Sequence, residues 1–193
     1  MGSNLAHFAA ESEFPQHFIA IMKHGGNPNS TYIWNKAITY ECTLFHSIFK
    51  SFCKNKRERF EAMMKAGTSK AILSVGARLA VQSDSQYEIA LMLLKAGAEF
   101  KTYDPYLGKF VHIVASREFA STKSGEAKRA QFERLVSWLE EQGEDYDAAK
   151  RDEQIWLKWL FFDTEKGAAM RRADIANRIA NEESNHAIPT KND

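Results

Sequence analysis

One pattern recurs four times along this chain of 193 residues, and it narrows the possible folds more than any other feature. Each copy has a short helical stretch opening on a small or basic residue, then a more apolar helical stretch, then a glycine. The first copy is Asn4-Leu5-Ala6-His7-Phe8-Ala9-Ala10 with Phe18-Ile19-Ala20-Ile21-Met22-Lys23-His24-Gly25. The second is Thr43-Leu44-Phe45-His46-Ser47-Ile48 with Phe60-Glu61-Ala62-Met63-Met64-Lys65-Ala66-Gly67. The third joins Ala77-Arg78-Leu79-Ala80-Val81 to Ile89-Ala90-Leu91-Met92-Leu93-Leu94-Lys95-Ala96-Gly97. The fourth joins Phe110-Val111-His112-Ile113-Val114-Ala115 to Phe132-Glu133-Arg134-Leu135-Val136-Ser137-Trp138-Leu139, which runs on to Gly143. Such a helix pair leaves an apolar face that only the next pair covers, so at least three must stack. The pattern therefore predicts an all-α solenoid of about four irregular helix pairs.

The terminal glycine of each copy predicts a left-handed cap, which glycine adopts at little steric cost. Ala9, Ala10, Ala80 and Ala115 predict close helix approach. Gly25, Gly67, Gly97 and Gly143 are unevenly spaced, where regular repeats of this kind would recur at about 33 residues, so insertions separate the copies. Thr31 to Glu41 form a long connection carrying Tyr32, Trp34 and Tyr40, and Ser121 to Ala127 read as a loop inside the fourth copy. After Gly143 the pattern changes. A helix over about 147–162 carries Ile155, Trp156, Trp159, Leu160 and Phe162, and a second covers about 166–181. Residues 151–183 are expected to cap the stack and 184–193 to form a loose tail.

These blocks resemble the ankyrin repeat, whose pattern runs Thr-Pro-Leu-His, a pair of alanines, then an apolar helix ending in Gly-Ala-Asp and Asn. The best matches are Lys23-His24-Gly25-Gly26-Asn27-Pro28-Asn29 and Leu93-Leu94-Lys95-Ala96-Gly97-Ala98. His7, His46 and His112 occupy the histidine position, Arg78 replaces it in the third copy, and no copy keeps the proline. The resemblance covers about residues 3 to 150 and implies a concave surface for a protein partner.

Composition bounds the partners. With 26 basic and 25 acidic residues, the net charge of +1 lacks the electrostatic footprint of a general nucleic-acid binder. The densest basic run, Lys54-Asn55-Lys56-Arg57-Glu58-Arg59, reads as a solvated helix end. Cys42 and Cys53 are the only cysteines; across a helical segment their Cα atoms would lie roughly 16 Å apart, too far for a disulfide. Two free thiols are expected, and the redox compartment stays open. No apolar run approaches a membrane-spanning length. Met1-Gly2-Ser3 resembles an expression-vector scar, so a native export signal could have been removed from in front of it.

Signatures of chemistry are missing: there is no Gly-rich phosphate loop, nucleophile elbow or metalloprotease helix. No enzyme activity, cofactor or metal is expected. Repeat histidines commonly satisfy the backbone of an adjacent turn, and His7, His46 and His112 are assigned that role. Partner binding is assigned to Tyr32, Trp34 and Tyr40 in the first long connection, and to Tyr103, Asp104 and Tyr106 in the one before Phe110. Tyrosine and tryptophan are frequent interface anchors, although loop aromatics also fold back onto their own scaffold. The Trp156, Trp159, Phe161 and Phe162 cluster packs the cap in one reading and meets a partner in another.

The run Trp138-Leu139-Glu140-Glu141-Gln142-Gly143-Glu144-Asp145-Tyr146-Asp147-Ala148-Ala149-Lys150, leading into a Trp-rich helix, carries a narrower resemblance. It is similar to bacterial ankyrin-repeat immunity proteins of type VI secretion phospholipase effectors. The resemblance implies a cognate lipase-type toxin as partner, neutralised by occlusion of its active site. It also implies a lipid-anchored, periplasmic native form, with the cytoplasm as the alternative. A generic ankyrin adaptor or a secreted host-binding effector is the rival reading.

Overall fold

The computed structural model describes residues 5–35, 40–50, 56–84, 86–103, 108–118 and 125–152. They contain α1 (Leu5–Glu11), α2 (Pro15–Lys23), β1 (Thr31–Asn35), β2 (Tyr40–Thr43), α3 (Leu44–Lys50), α4 (Lys56–Lys65), α5 (Lys70–Asp84), α6 (Tyr87–Lys95), α7 (Phe110–Ala115), α8 (Glu126–Glu141) and α9 (Tyr146–Arg151). The protein is mostly helical, and the four predicted pairs are α1/α2, α3/α4, α5/α6 and α7/α8. Each first helix packs on the next, in the order α1, α3, α5, α7, α9; beside them α2 packs on α4 and α6 on α8.

One core runs through all four pairs. Phe18, Phe45, Phe60, Leu93, Phe110 and Leu135 are among its fully buried side chains, each contributing roughly 1.5–3 kcal/mol relative to exposure. Ala9, Ala10, Ala80 and Ala115 are buried between helices, as expected. α5 comes close to α3 at Gly76, where an added Cβ would stand 2.7 Å from the Phe45 ring.

Helix ends follow one design. Gly25 has φ 90° and Gly26 N–H donates to the Ile21 carbonyl at 2.9 Å, closing α2. Gly97 (φ 104°) and Gly143 (φ 85°) do the same for α6 and α8, with Ala98 N–H on Leu93 and Glu144 N–H on Leu139. At Gly67 (φ 88°) the Thr68 hydroxyl takes over that role, donating to the Met63 carbonyl at 2.7 Å. The predicted left-handed caps are therefore present in all four copies.

α9 opens on Asp145, whose Oδ1 accepts from Ala148 N–H at 2.7 Å. Removing that acceptor leaves a first-turn donor unpaired, so Asp145→Ala should lower stability by about 1 kcal/mol. Denaturant titration reads this directly, and an unchanged midpoint would mean the cap is idle.

Several details differ from expectation. α5 starts at Lys70 rather than near Ala77 and runs unbroken for 15 residues. Glu126 and Ala127 belong to α8, not to a loop. Cys42 lies in β2, so the helical spacing to Cys53 does not hold; its buried thiol is free, and Cys53 lies outside the described residues. The basic run is not all solvated. Arg57 is exposed and pairs with Glu61 and Glu88, both at 3.0 Å, but Arg59 is fully buried on the face of α4 that also buries Phe60 and Met63. Most of the expected cap (151–183) and all of the tail (184–193) lie outside the described residues. Among the described residues no helix is long and apolar enough to cross a membrane.

Candidate interaction surface

The long connection after the first pair folds into an antiparallel hairpin. Thr31-Tyr32-Ile33-Trp34 is a β-branched and aromatic run, the composition that suits a pleated surface. Thr31 pairs with Thr43, Tyr32 with Cys42 and Ile33 with Glu41, and an irregularity between Ile33 and Asn35 sets Asn35 against Tyr40. β2 passes directly into α3. At that junction His46 Nδ1 accepts from Thr43 N–H at 3.0 Å and lies 3.1 Å from the Thr43 hydroxyl. The same three-residue spacing returns at α7, where His112 Nδ1 accepts from Lys109 N–H at 3.1 Å while Nε2 stands 3.3 Å from Asp152 Oδ2. Both histidines hold the backbone at a helix start.

His7 joins three elements instead. Its Nδ1 lies 3.1 Å from Ser47 Oγ of α3, and its Nε2 lies 3.4 Å from Ser30 Oγ just before β1. Its ring meets Tyr32 edge-on, with centroids 4.6 Å apart. Cys42, its partner across the hairpin, and Ser47 are close enough to influence the ionisation of the Tyr32 phenol. Burial lowers the pKa of His7 and of His46, and raises those of the Tyr32 phenol and the Cys42 thiol. All four groups favour their neutral forms, so the base of the hairpin is an uncharged polar network. A thiol held protonated in this way is a poor nucleophile.

The hairpin thus carries Tyr32, Trp34 and Tyr40, but Tyr32 is half-buried against the scaffold while its neighbour Ile33 is 56% exposed. The side chains of Trp34 and Tyr40 lie outside what the structure describes. Tyr103 is 53% exposed in the connection after α6; Asp104 and Tyr106 fall outside the described residues. Three further exposed apolar side chains were not anticipated: Leu5, Phe8 and Phe14. Leu5 and Phe8 are three residues apart on α1, which buries Ala6, His7, Ala9 and Ala10. That pairing could have been read from helical spacing alone.

Arg59, also missed, gives its Nη2 to the Ser12 carbonyl between α1 and α2, while Nε and Nη1 have no partner among the described residues. No cluster of metal-ligating side chains occurs among the described residues. No family model matches this chain, nor does any curated protein or solved structure.

Proposed function

We propose that the chain is a short ankyrin-type stack that binds a protein partner, and that the partner is a lipase-type antibacterial toxin which it neutralises as an immunity protein. The scaffold half of this reading is supported by the repeated pair, the four glycine caps and the hairpin set between the first two pairs. One observation carries the binding half. Four of the five large exposed hydrophobic side chains among the described residues, Leu5, Phe8, Phe14 and Ile33, belong to the first helix pair and its hairpin. Exposed apolar groups gathered on one part of a fold mark a surface made for association. The identity of the partner follows the resemblance of the sequence to immunity proteins of phospholipase effectors. Neutralisation would proceed by covering the active-site entrance, which needs an interface of about 1,200–2,000 Å². The native form would be a lipid-anchored periplasmic protein.

Co-purification with a lipase-type toxin, sought among the genes neighbouring this one, tests the proposal. A one-to-one complex with loss of phospholipase activity is expected. Phe8→Glu and Ile33→Glu should each weaken it at least about thirtyfold, the effect of losing a hot-spot side chain. An active, unbound lipase in the presence of folded protein would overturn the immunity reading. A complex insensitive to both substitutions would place the interface elsewhere.

A further inference from the structure

We propose that α1 and the turn after it are built for a partner surface on which lysine or arginine side chains flank apolar ones. The proposal rests on the reading that this part of the fold binds a protein, and it adds what that protein must present. Leu5, Phe8 and Glu11 stand three residues apart on α1, a spacing that makes neighbours along one side of a helix. All three are exposed, Leu5 at 74% and Phe8 at 72%. The chain then turns through Ser12 and Glu13 to Phe14, 60% exposed at the start of α2, and the Phe14 amide fixes the turn by donating to the Ser12 hydroxyl at 3.1 Å.

Two carboxylates sit where the backbone is already negative. Glu11 is the last residue of α1, whose terminal carbonyls carry partial negative charge and favour a cation nearby. α1 has no basic residue in its last turn, and Glu11 has no ion-pair partner among the described residues. Glu13 follows two residues later and is also exposed. From Leu5 to Met22 the sequence contains no lysine or arginine. Arg59 reaches the turn from α4 and gives its Nη2 to the Ser12 carbonyl, but it is fully buried. It offsets part of the negative charge from beneath, leaving the carboxylates to face solvent.

Charge decides between the occupants an exposed apolar helix face can have. Helices that lie on a membrane carry lysine and arginine on their polar side, and anionic lipid would repel Glu11 and Glu13. A second copy of this chain, meeting the same face about a two-fold axis, would set like charges against each other. A partner with cations beside apolar groups suits both parts of the face. Its apolar side chains cover Leu5, Phe8 and Phe14, while its ammonium or guanidinium groups meet Glu11, Glu13 and the carbonyl end of α1. Charges at such a rim act mainly on the rate of encounter and the choice of partner; the apolar centre holds the complex together.

The full chain tests this with two probes of defined chemistry: an amphipathic helical peptide of about 18 leucine and lysine residues, and its leucine–glutamate counterpart. Binding is followed by NMR shifts of the backbone amides. The leucine–lysine peptide should move the signals of α1 and of the turn to Phe14 while those of α6 stay in place. The counterpart should bind at least about fivefold more weakly, the scale of two exposed charge pairs. Glu11→Gln combined with Glu13→Gln should close that gap, and Phe8→Ser should weaken both peptides. Equal affinity of the wild type for the two peptides, shifts centred outside α1 and its turn, or no binding of the basic peptide would overturn the proposal. So would tighter binding to phosphatidylglycerol vesicles, which would make the face a membrane contact. The immunity reading fails separately. A lipase complex broken by Phe8→Glu but indifferent to Glu11→Gln and Glu13→Gln keeps that reading and overturns the charge assignment, whereas peptide discrimination without lipase binding does the reverse.

Discussion

Phe60→Ala is expected to remove about 3–5 kcal/mol of folding stability, the range for deleting a buried aromatic ring. Phe60 is fully buried on α4, stacked on Phe45 at 5.4 Å between centroids and tilted against Phe49 at 5.2 Å. The three rings knit α3 to α4, and Phe45 is also the surface that α5 rides on at Gly76. The neighbours cannot collapse into the void, because Phe45 is wedged from the other side. In a stack held by nearest-neighbour contacts, weakening an inner junction uncouples what lies on either side. Chemical denaturation should therefore show both a lower midpoint and a broader transition than in the wild type. A shift smaller than about 1 kcal/mol would show that the site repacks and would falsify the account of this core.

The opposite error should be nearly as damaging a few ångströms away. Gly76→Val places branched carbon where even a Cβ would lie 2.7 Å from the Phe45 ring. Overpacking of this kind typically costs about 1–3 kcal/mol, and the upper end is expected because both sides are constrained. The glycine backbone belongs to a 15-residue helix, and the ring is held by Phe60. Valine is a slightly better helix former than the glycine it replaces, so a loss of stability points to the collision, and a double-mutant cycle isolates it. Phe45→Leu opens space, so the combined variant should be more stable than the sum of the single losses predicts. Strict additivity would mean that the two residues do not collide.

The architecture was legible where one residue type answers one physical need. A glycine after an apolar helix says that the chain turns into left-handed backbone, and Gly25, Gly67, Gly97 and Gly143 all do so. A histidine three residues into a helix says that an imidazole can cap the residue where the helix begins, and His46 and His112 do this. Tertiary details were harder. Nothing local distinguishes Arg59 from its solvated neighbour Arg57; only the packing of α4 on α2 turns one inward. Tyr32 and Ile33 are adjacent, and strand alternation sends them to opposite faces, but the sequence does not say which face meets His7. The exposed apolar side chains of α1, Leu5 and Phe8, stand three residues apart, a spacing legible in the sequence. Trp34, Tyr40, Asp104 and Tyr106 carry the remaining expectations about the surface, and alanine substitution at each in the co-purification experiment would rank them.

The order of packing along the stack also bears on how the chain is made. Among the described residues, inter-pair bonds reach back about one repeat: Asn29 Oδ1 takes the amide of Ser69 at 2.7 Å, and Ser74 Oγ takes that of Glu99 at 2.7 Å. No step in assembly has to wait for a distant strand or for the far end of the molecule. Contacts of short sequence separation form early and quickly, and synthesis delivers the amino-terminal part first. Each helix pair can therefore settle onto the one before it while the next is still being translated. The least supported moment is the emergence of α1 and α2, whose inner faces wait for α3 and α4 to cover them.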